Sequence, residues 1–316
     1  MINTKILIIG AGPAGAACAG HLQQQGVDCL VLDKHTFPRP KPCAGWTTPE
    51  VWQLLQTSPQ EYPYGLTHFS SFQVSVKGIR FRLKTNQYAI RRYEFDAWLL
   101  EKYQIQPVTH TVRRIERCKD GFIVDDTYSC QYLIGAGGTN CPVRRFIDAE
   151  REQLGHKKQI LAMEDEFEYP VVDHHCHLWF FENRLPGYSW YVPKANGYVN
   201  VGVGGSAARM SDRGDSIKRQ WRHLIDSLAA SGLVIGHDYQ PRGYAYYLRE
   251  KSPAIRQGNA FLLGDSAGLA TNDMGEGIGP AIQSGILAAS AIVENKPYTI
   301  RSIPRFSLPS LLGLRK

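Results

Sequence analysis

No stretch of the 316 residues is apolar for long enough to cross a bilayer. The cleavage pattern of a secretory leader is missing too, because the first residues run into Ile6-Leu-Ile-Ile and then into glycines. A cytoplasmic location is the expectation from both absences. The seven cysteines, Cys18, Cys29, Cys43, Cys118, Cys130, Cys141 and Cys176, contain no CxxC pair. An odd set argues for free thiols rather than a disulfide framework. No regular nucleic-acid motif accompanies the net charge of +7, so nucleic acid is not an expected partner. Basic residues gather at 34–41, 113–119 and 301–316. They suit either an ordinary basic surface or attraction to phosphates or an acidic membrane surface. Asp173-His174-His175-Cys176-His177 looks like a metal cluster but has no second ligand group at suitable spacing, and no metal is expected. A hydrophobic content of 43% allows one large domain or two interleaved ones.

What is present begins at Ile6. The apolar run ending at Ile9 reads as a buried parallel strand. Gly10-Ala-Gly12-Pro13-Ala14-Gly15 is a GxGxxG match and opens a helical run that Gly26 ends. Gly10 permits the tight turn, Gly12 lets backbone approach a pyrophosphate, and Gly15 lets helix pack on strand. The helix start at Pro13 and Ala14 lies where backbone amides, from Ala14 onward, receive phosphate charge. A second strand ends at Asp33, placed to accept from a ribose, with Lys34 beside it. A lone GxGxxG is weak, but here strand, helix, second strand and acid all follow in order. The motif by itself does not separate NAD from FAD.

Near the other end, Ala260-Phe-Leu-Leu-Gly264-Asp265 reads as a short strand and turn, and Gly275-Glu276-Gly277-Ile278 opens another helix. An acid after a strand can bind a ribityl hydroxyl, and a glycine-rich helix start can face flavin carbonyls. The two halves together resemble the flavin fold shared by aromatic hydroxylases and geranylgeranyl reductases, and that pairing selects FAD. The strand 127–134 leads into Gly135-Ala136-Gly137-Gly138-Thr-Asn-Cys141-Pro-Val-Arg144. It resembles the middle fingerprint GADGxxSxVR of the same fold, with Gly137 in place of the aspartate and Cys141 in place of the serine. The first departure weakens direct NADPH use, so the resemblance leaves the external electron donor open between NAD(P)H and a ferredoxin-like protein.

Two further stretches resemble the reductase branch. Arg39-Pro-Lys41-Pro42-Cys43-Ala44-Gly45 is similar to the loop that borders the flavin in geranylgeranyl reductases. Pro186-Gly-Tyr188-Ser-Trp190-Tyr-Val192-Pro193, followed by Asn200-Val-Gly202-Val-Gly204, is similar to the YxWxFP…NxGxG stretch of archaeal geranylgeranyl and digeranylgeranylglycerophospholipid reductases. Val192 departs from its phenylalanine. Read alone, this stretch is a hairpin turning at Asn196-Gly197 with an aromatic face. Cys43 is open between a small buried residue and a thiol near the flavin whose pKa Lys41 and Arg39 would lower. Arg92, in a stretch resembling RxxFDxxL with Asp96 on the helix that follows, is open between a role near the flavin and a purely structural ion pair.

The expected architecture is α/β: a Rossmann-like FAD-binding domain (1–62, 95–148 and 257–295) interleaved with a mostly antiparallel substrate domain (63–94 and 149–256). Strands are expected at 72–76 and 79–83 over the turn Lys77-Gly78, and an amphipathic helix at 212–231. A basic and apolar tail (296–316) follows, with Pro297, Pro304 and Pro309. Relatives of this kind continue into a helical region beside the substrate cavity, so a long substrate would meet a more open pocket or one covered by a partner. The tail suits peripheral contact with a membrane. The resemblance implies an FAD-dependent reductase of isoprenoid C=C bonds, with Cys43, Tyr188 and Trp190 on the substrate side. A flavin monooxygenase or dehydrogenase acting on an aromatic or protein-bound substrate is the alternative, and a non-enzymatic flavin-binding protein the third.

Overall fold

The computed structural model describes residues 1–149, 159–251, 253 and 255–314. The described residues form two eight-stranded sheets. The first contains β1 (Ile2–Ile9), β2 (Leu30–Asp33), β6 (Val108–Thr109), β7 (Ile115–Cys118), β8 (Gly121–Val124), β9 (Tyr128–Gly135), β15 (Arg256–Gln257) and β16 (Ala260–Leu262). Its spine, β16-β9-β1-β2-β6, is parallel throughout. The strands are apolar runs because both faces are covered. Ile6, Leu7, Ile8, Leu133 and Ile134 are wholly buried.

The second sheet has the order β14-β10-β13-β12-β11-β4-β5-β3. Its strands are β3 (Trp46–Thr47), β4 (Thr67–Val76), β5 (Ile79–Ala89), β10 (Gln159–Glu168), β11 (Cys176–Phe180), β12 (Gly187–Pro193), β13 (Tyr198–Ser206) and β14 (Arg242–Tyr247). It is antiparallel except where β11 meets β4. Strand β3 falls within 1–62 yet pairs with β5, so the loop carrying Cys43 is carried into the second sheet. Residues 150–158, at the start of the segment 149–256, lie outside the described residues, as do Arg315 and Lys316 of the tail.

The helices are α1 (Pro13–Gln24), α2 (Pro49–Leu54), α3 (Arg92–Lys102), α4 (Pro142–Ala149), α5 (Ala207–Ser211), α6 (Ile217–Ala230), α7 (Ile278–Val293) and α8 (Leu308–Leu311). The helix expected at 212–231 is shorter. Gly214 takes φ +60 and breaks the chain before Ser216, whose side chain caps α6 by accepting from the Arg219 amide at 3.3 Å. Helix α6 covers the outer face of the second sheet through Trp221, Leu224 and Leu228. The tail is anchored rather than free. Tyr298, Ile300, Ile303 and Leu311 are buried. The Arg249 guanidinium donates to the carbonyls of Ile300 and Ile303, each at 2.7 Å.

Candidate active site

A cavity of about 1260 Å³ is lined by both sheets. At one end β1 stops and Gly10 turns with φ +110, its amide donating to the Leu32 carbonyl. A Cβ there would stand 2.4 Å from the Ala136 carbonyl oxygen. Helix α1 then starts at Pro13 with no side-chain cap, so its first amides face the cavity beside Gly12. Asp33 fixes this loop: one carboxylate oxygen accepts from the Ala11 amide at 2.8 Å and the other from the His35 amide at 2.9 Å. Arg39 lies over Gly12, its Nη2 3.6 Å from where a glycine Cβ would be. Its Nε is buried and has no partner among the described residues.

Most residues singled out in the sequence line this one cavity: Gly10, Gly12, Pro13, Ala14, Asp33, Lys34, Arg39, Lys41, Pro42, Cys43, Ala44, Gly45, Arg92, Ala136, Gly137, Tyr188, Trp190, Asp265, Gly275, Glu276, Gly277 and Ile278. Three stand behind the wall instead. A Cβ on Gly15 would lie 1.9 Å from the Gly10 carbonyl oxygen, and one on Gly135 2.8 Å from Val143 Cβ. Gly264, at φ +52, is pressed between Ala281 and Ala14. Their smallness brings α1, α4 and α7 close to the sheet, so they shape the site without facing it.

Arg92 is bound by Asp96, donating from Nε at 2.6 Å and from Nη2 at 2.8 Å, and Arg39 approaches the same carboxylate at 3.4 Å. Burial works against the Arg92 charge, but Asp96 outweighs it and holds the guanidinium protonated. The structural ion pair is therefore present, and Arg92 also lines the cavity. The Lys41 ammonium sits 3.0 Å above the Tyr244 ring centroid. Burial lowers its pKa to about 8, with Asp265 pulling the other way. The start of α7 is partly occupied by its own neighbour: Glu276 accepts from the Gly279 amide at 2.6 Å. Burial raises the Glu276 carboxyl to about 7.

The second sheet supplies the opposite wall. Trp46, Phe180, Tyr188 and Trp190 line the cavity in a run of ring contacts, with Trp46 and Tyr188 stacked at 6.3 Å and Phe72 buried against Trp46. The Tyr188 hydroxyl donates to the Met274 carbonyl at 2.6 Å, and Trp190 Nε1 to Asn200 Oδ1 at 2.7 Å. The Asn200 amide nitrogen donates to Glu164 at 3.2 Å and to the Cys43 carbonyl at 3.4 Å. The Cys43 thiol accepts from the Gly45 amide at 3.3 Å, and Cys43 is half-buried.

Several lining residues carried no readable signal. Glu164 sits in the acidic run Glu164-Asp165-Glu166 of β10. Burial raises its carboxyl to about 7, against Lys194. Tyr244 donates to Asp265 at 3.0 Å, and the Tyr246 hydroxyl fills the space where Gly275 lacks a Cβ. Their alternation marks a strand but not what it faces. Asp173 accepts from His175 Nδ1 at 2.7 Å and His177 Nε2 at 2.8 Å, which ties both imidazoles to one carboxylate.

An uncapped helix start, a buried guanidinium nitrogen without a partner and glycines with no room for a Cβ suit a dinucleotide pyrophosphate. The FAD binding domain family matches the chain over residues 3–58 and 108–295. An uncharacterised protein of Methanosarcina barkeri is 32% identical over 315 residues, covering 92% of this chain and 76% of its own. A menaquinone reductase of Mycolicibacterium smegmatis is 25% identical over 329 residues, covering 91% and 76%. The crystal structure of a geranylgeranyl bacteriochlorophyll reductase-like protein from Thermoplasma acidophilum has the same fold. It gives a TM-score of 0.81 at 20% identity over 94% of this chain and 81% of that one. The chain belongs to the FAD binding domain family and is an FAD-dependent oxidoreductase.

Proposed function

We propose that the protein reduces C=C bonds in the polyisoprenoid chain of a lipid. The observation that carries this reading is the aromatic wall of Trp46, Phe180, Tyr188 and Trp190, which shares one cavity with the glycine-rich loops proposed to hold FAD. An apolar chain laid on that wall removes its own surface from water and needs no polar partner along its length. The names of two similar proteins, a menaquinone reductase and a geranylgeranyl bacteriochlorophyll reductase-like protein, point to lipids with such chains.

Gly10, Gly12, Arg39 and Asp33 would hold the adenosine diphosphate half of FAD, and Asp265 with the start of α7 the flavin half. Reduced FAD, when bound, supplies a hydride to one alkene carbon, and a proton to the other carbon completes the saturated product. Tyr188 and Trp190 orient the chain, each fixed by its hydrogen bond to Met274 or Asn200. Glu164 holds a proton on its carboxyl at the cavity wall, next to the Cys43 loop. Removal of water from this wall by the substrate protects that proton from exchange.

The test is anaerobic reduction of the FAD-loaded protein with dithionite, followed by a geranylgeranyl lipid. Flavin reoxidation with saturated product is expected. Failure of the lipid to reoxidise the flavin, with rapid formation of a flavin hydroperoxide once oxygen is admitted, would replace this reading with a monooxygenase.

A further inference from the structure

The register of the second sheet puts Phe180, Val76 and Ile79 in one row across β11, β4 and β5, and Leu178, Val74 and Phe81 in the next. Residues paired in register share a face. The inner ends of both rows are packed with Tyr188 and Trp190 on the cavity side. The outer ends leave the cover behind: Ile79 is 72% exposed and Phe81 46%. Helix α8 packs on β5, where Thr85 Oγ1 donates to the Leu311 carbonyl at 2.7 Å. This brings up Phe306 at 51% and Leu308 at 49% exposure. Phe181 and Phe306 both line the cavity, so the apolar edge and the cavity mouth are continuous.

Charge distinguishes this edge from ordinary exposed apolar surface. Residues 67–89 carry Lys77, Arg80, Arg82 and Lys84 and no acid, and residues 295–316 carry no acid either. The four hairpin cations are exposed. Arg80 and Arg82 alternate with Ile79 and Phe81, so the hairpin has one cationic and one apolar face. Nearby acids are engaged locally. Glu182 accepts from Ser75 and the Gly78 amide, Asp273 from the Ser307 and Leu308 amides, and Glu50 from Ser310. An apolar edge with exposed cations beside it, its nearby acids held in local hydrogen bonds, matches the boundary between anionic headgroups and acyl chains.

We propose that the β4–β5 hairpin and the α8 segment together dock the protein on an anionic lipid membrane, with the cavity mouth at Phe181 and Phe306 opening onto the bilayer. The docking goes beyond the substrate reading and is measured without turnover, so either can fail while the other stands. FAD-loaded protein is mixed with vesicles of phosphatidylcholine, with or without phosphatidylglycerol, and sedimented. Binding only to the phosphatidylglycerol vesicles, weakened by salt, is expected. Arg80→Glu with Arg82→Glu lowers the bound-to-free ratio about tenfold or more. Ile79→Ser with Phe81→Ser lowers it similarly while FAD content stays at the wild-type level, which shows that the variant is folded. Absence of binding to either vesicle, or binding by both variants equal to that of the wild type, overturns the proposal. So does light scattering that finds a dimer which the Ile79→Ser, Phe81→Ser variant dissolves, because the edge would then serve a second copy of this chain.

Discussion

A single carboxamide, that of Asn200, ties the substrate wall to the flavin loop. It accepts from Trp190, donates to Glu164 and donates to the Cys43 carbonyl. Glu164 is 7% exposed and its carboxyl is raised to about 7 by burial. Between the ordinary carboxyl range and that value the folded chain holds a proton that the unfolded chain releases. Stability therefore falls as pH rises through this window, and the loss is complete above about 7. Glu164→Gln mimics the protonated form. At pH 8 it is expected to raise unfolding stability by about 1–3 kcal/mol, measured by urea denaturation at pH 5 and 8. The wild-type rate of the proposed alkene reduction is expected to decline above neutral pH as the proton is lost, and the Gln variant to be slow and flat across the range. A Gln variant with the wild-type profile would remove Glu164 from the reaction.

At the scale of elements, the β12–β13 hairpin sets the aromatic wall by omission. A Cβ on Gly202 would stand 2.2 Å from Cζ2 of Trp190, so the indole lies flat across a strand that offers no side chain there. Gly202→Ala forces the ring out or the strands apart. A loss of about 1–3 kcal/mol is expected from such overpacking. FAD content should be retained, because Gly202 is remote from Gly10 and Gly12 on the opposite sheet. Thermal unfolding and flavin absorbance check both halves of the statement. Elements α1 and α7 meet by the same means: a Cβ on Gly285 would lie 2.4 Å from the Ala14 carbonyl oxygen. This close packing sets the two helix starts side by side at one cavity.

Across the whole molecule, the cofactor and the fold are expected to be coupled, because the cavity proposed for FAD is lined by both sheets. A ligand present at a thousand times its Kd adds about 4 kcal/mol to the folded state. A strong rise in Tm with added FAD is expected. Arg39 contributes through its unpartnered Nε beside Gly12. Arg39→Ala is expected to weaken FAD by about tenfold, equivalent to about 1.4 kcal/mol, and to shrink the FAD-dependent rise in Tm accordingly. An unchanged Kd by fluorescence titration would move the pyrophosphate away from this guanidinium.

The sequence by itself determined the glycine-rich loops, because each needs a local conformation that few residues adopt. Gly10 requires φ +110, Asp33 must end a strand, and a glycine-rich turn must open α7. The β12–β13 hairpin was legible for the same reason, through Asn196-Gly197, both at positive φ. Tertiary structure alone decided which side chains face the cavity. Alternation in a strand names two faces and not which one is covered, so Glu164, Tyr244 and Tyr246 gave no sign of their position. It also decided that Gly15, Gly135 and Gly264 stand behind the wall, that Arg92 is bound by Asp96, and that the tail lies on β5. Each of these depends on contacts between residues distant in the chain, and local conformational preference carries no information about such contacts.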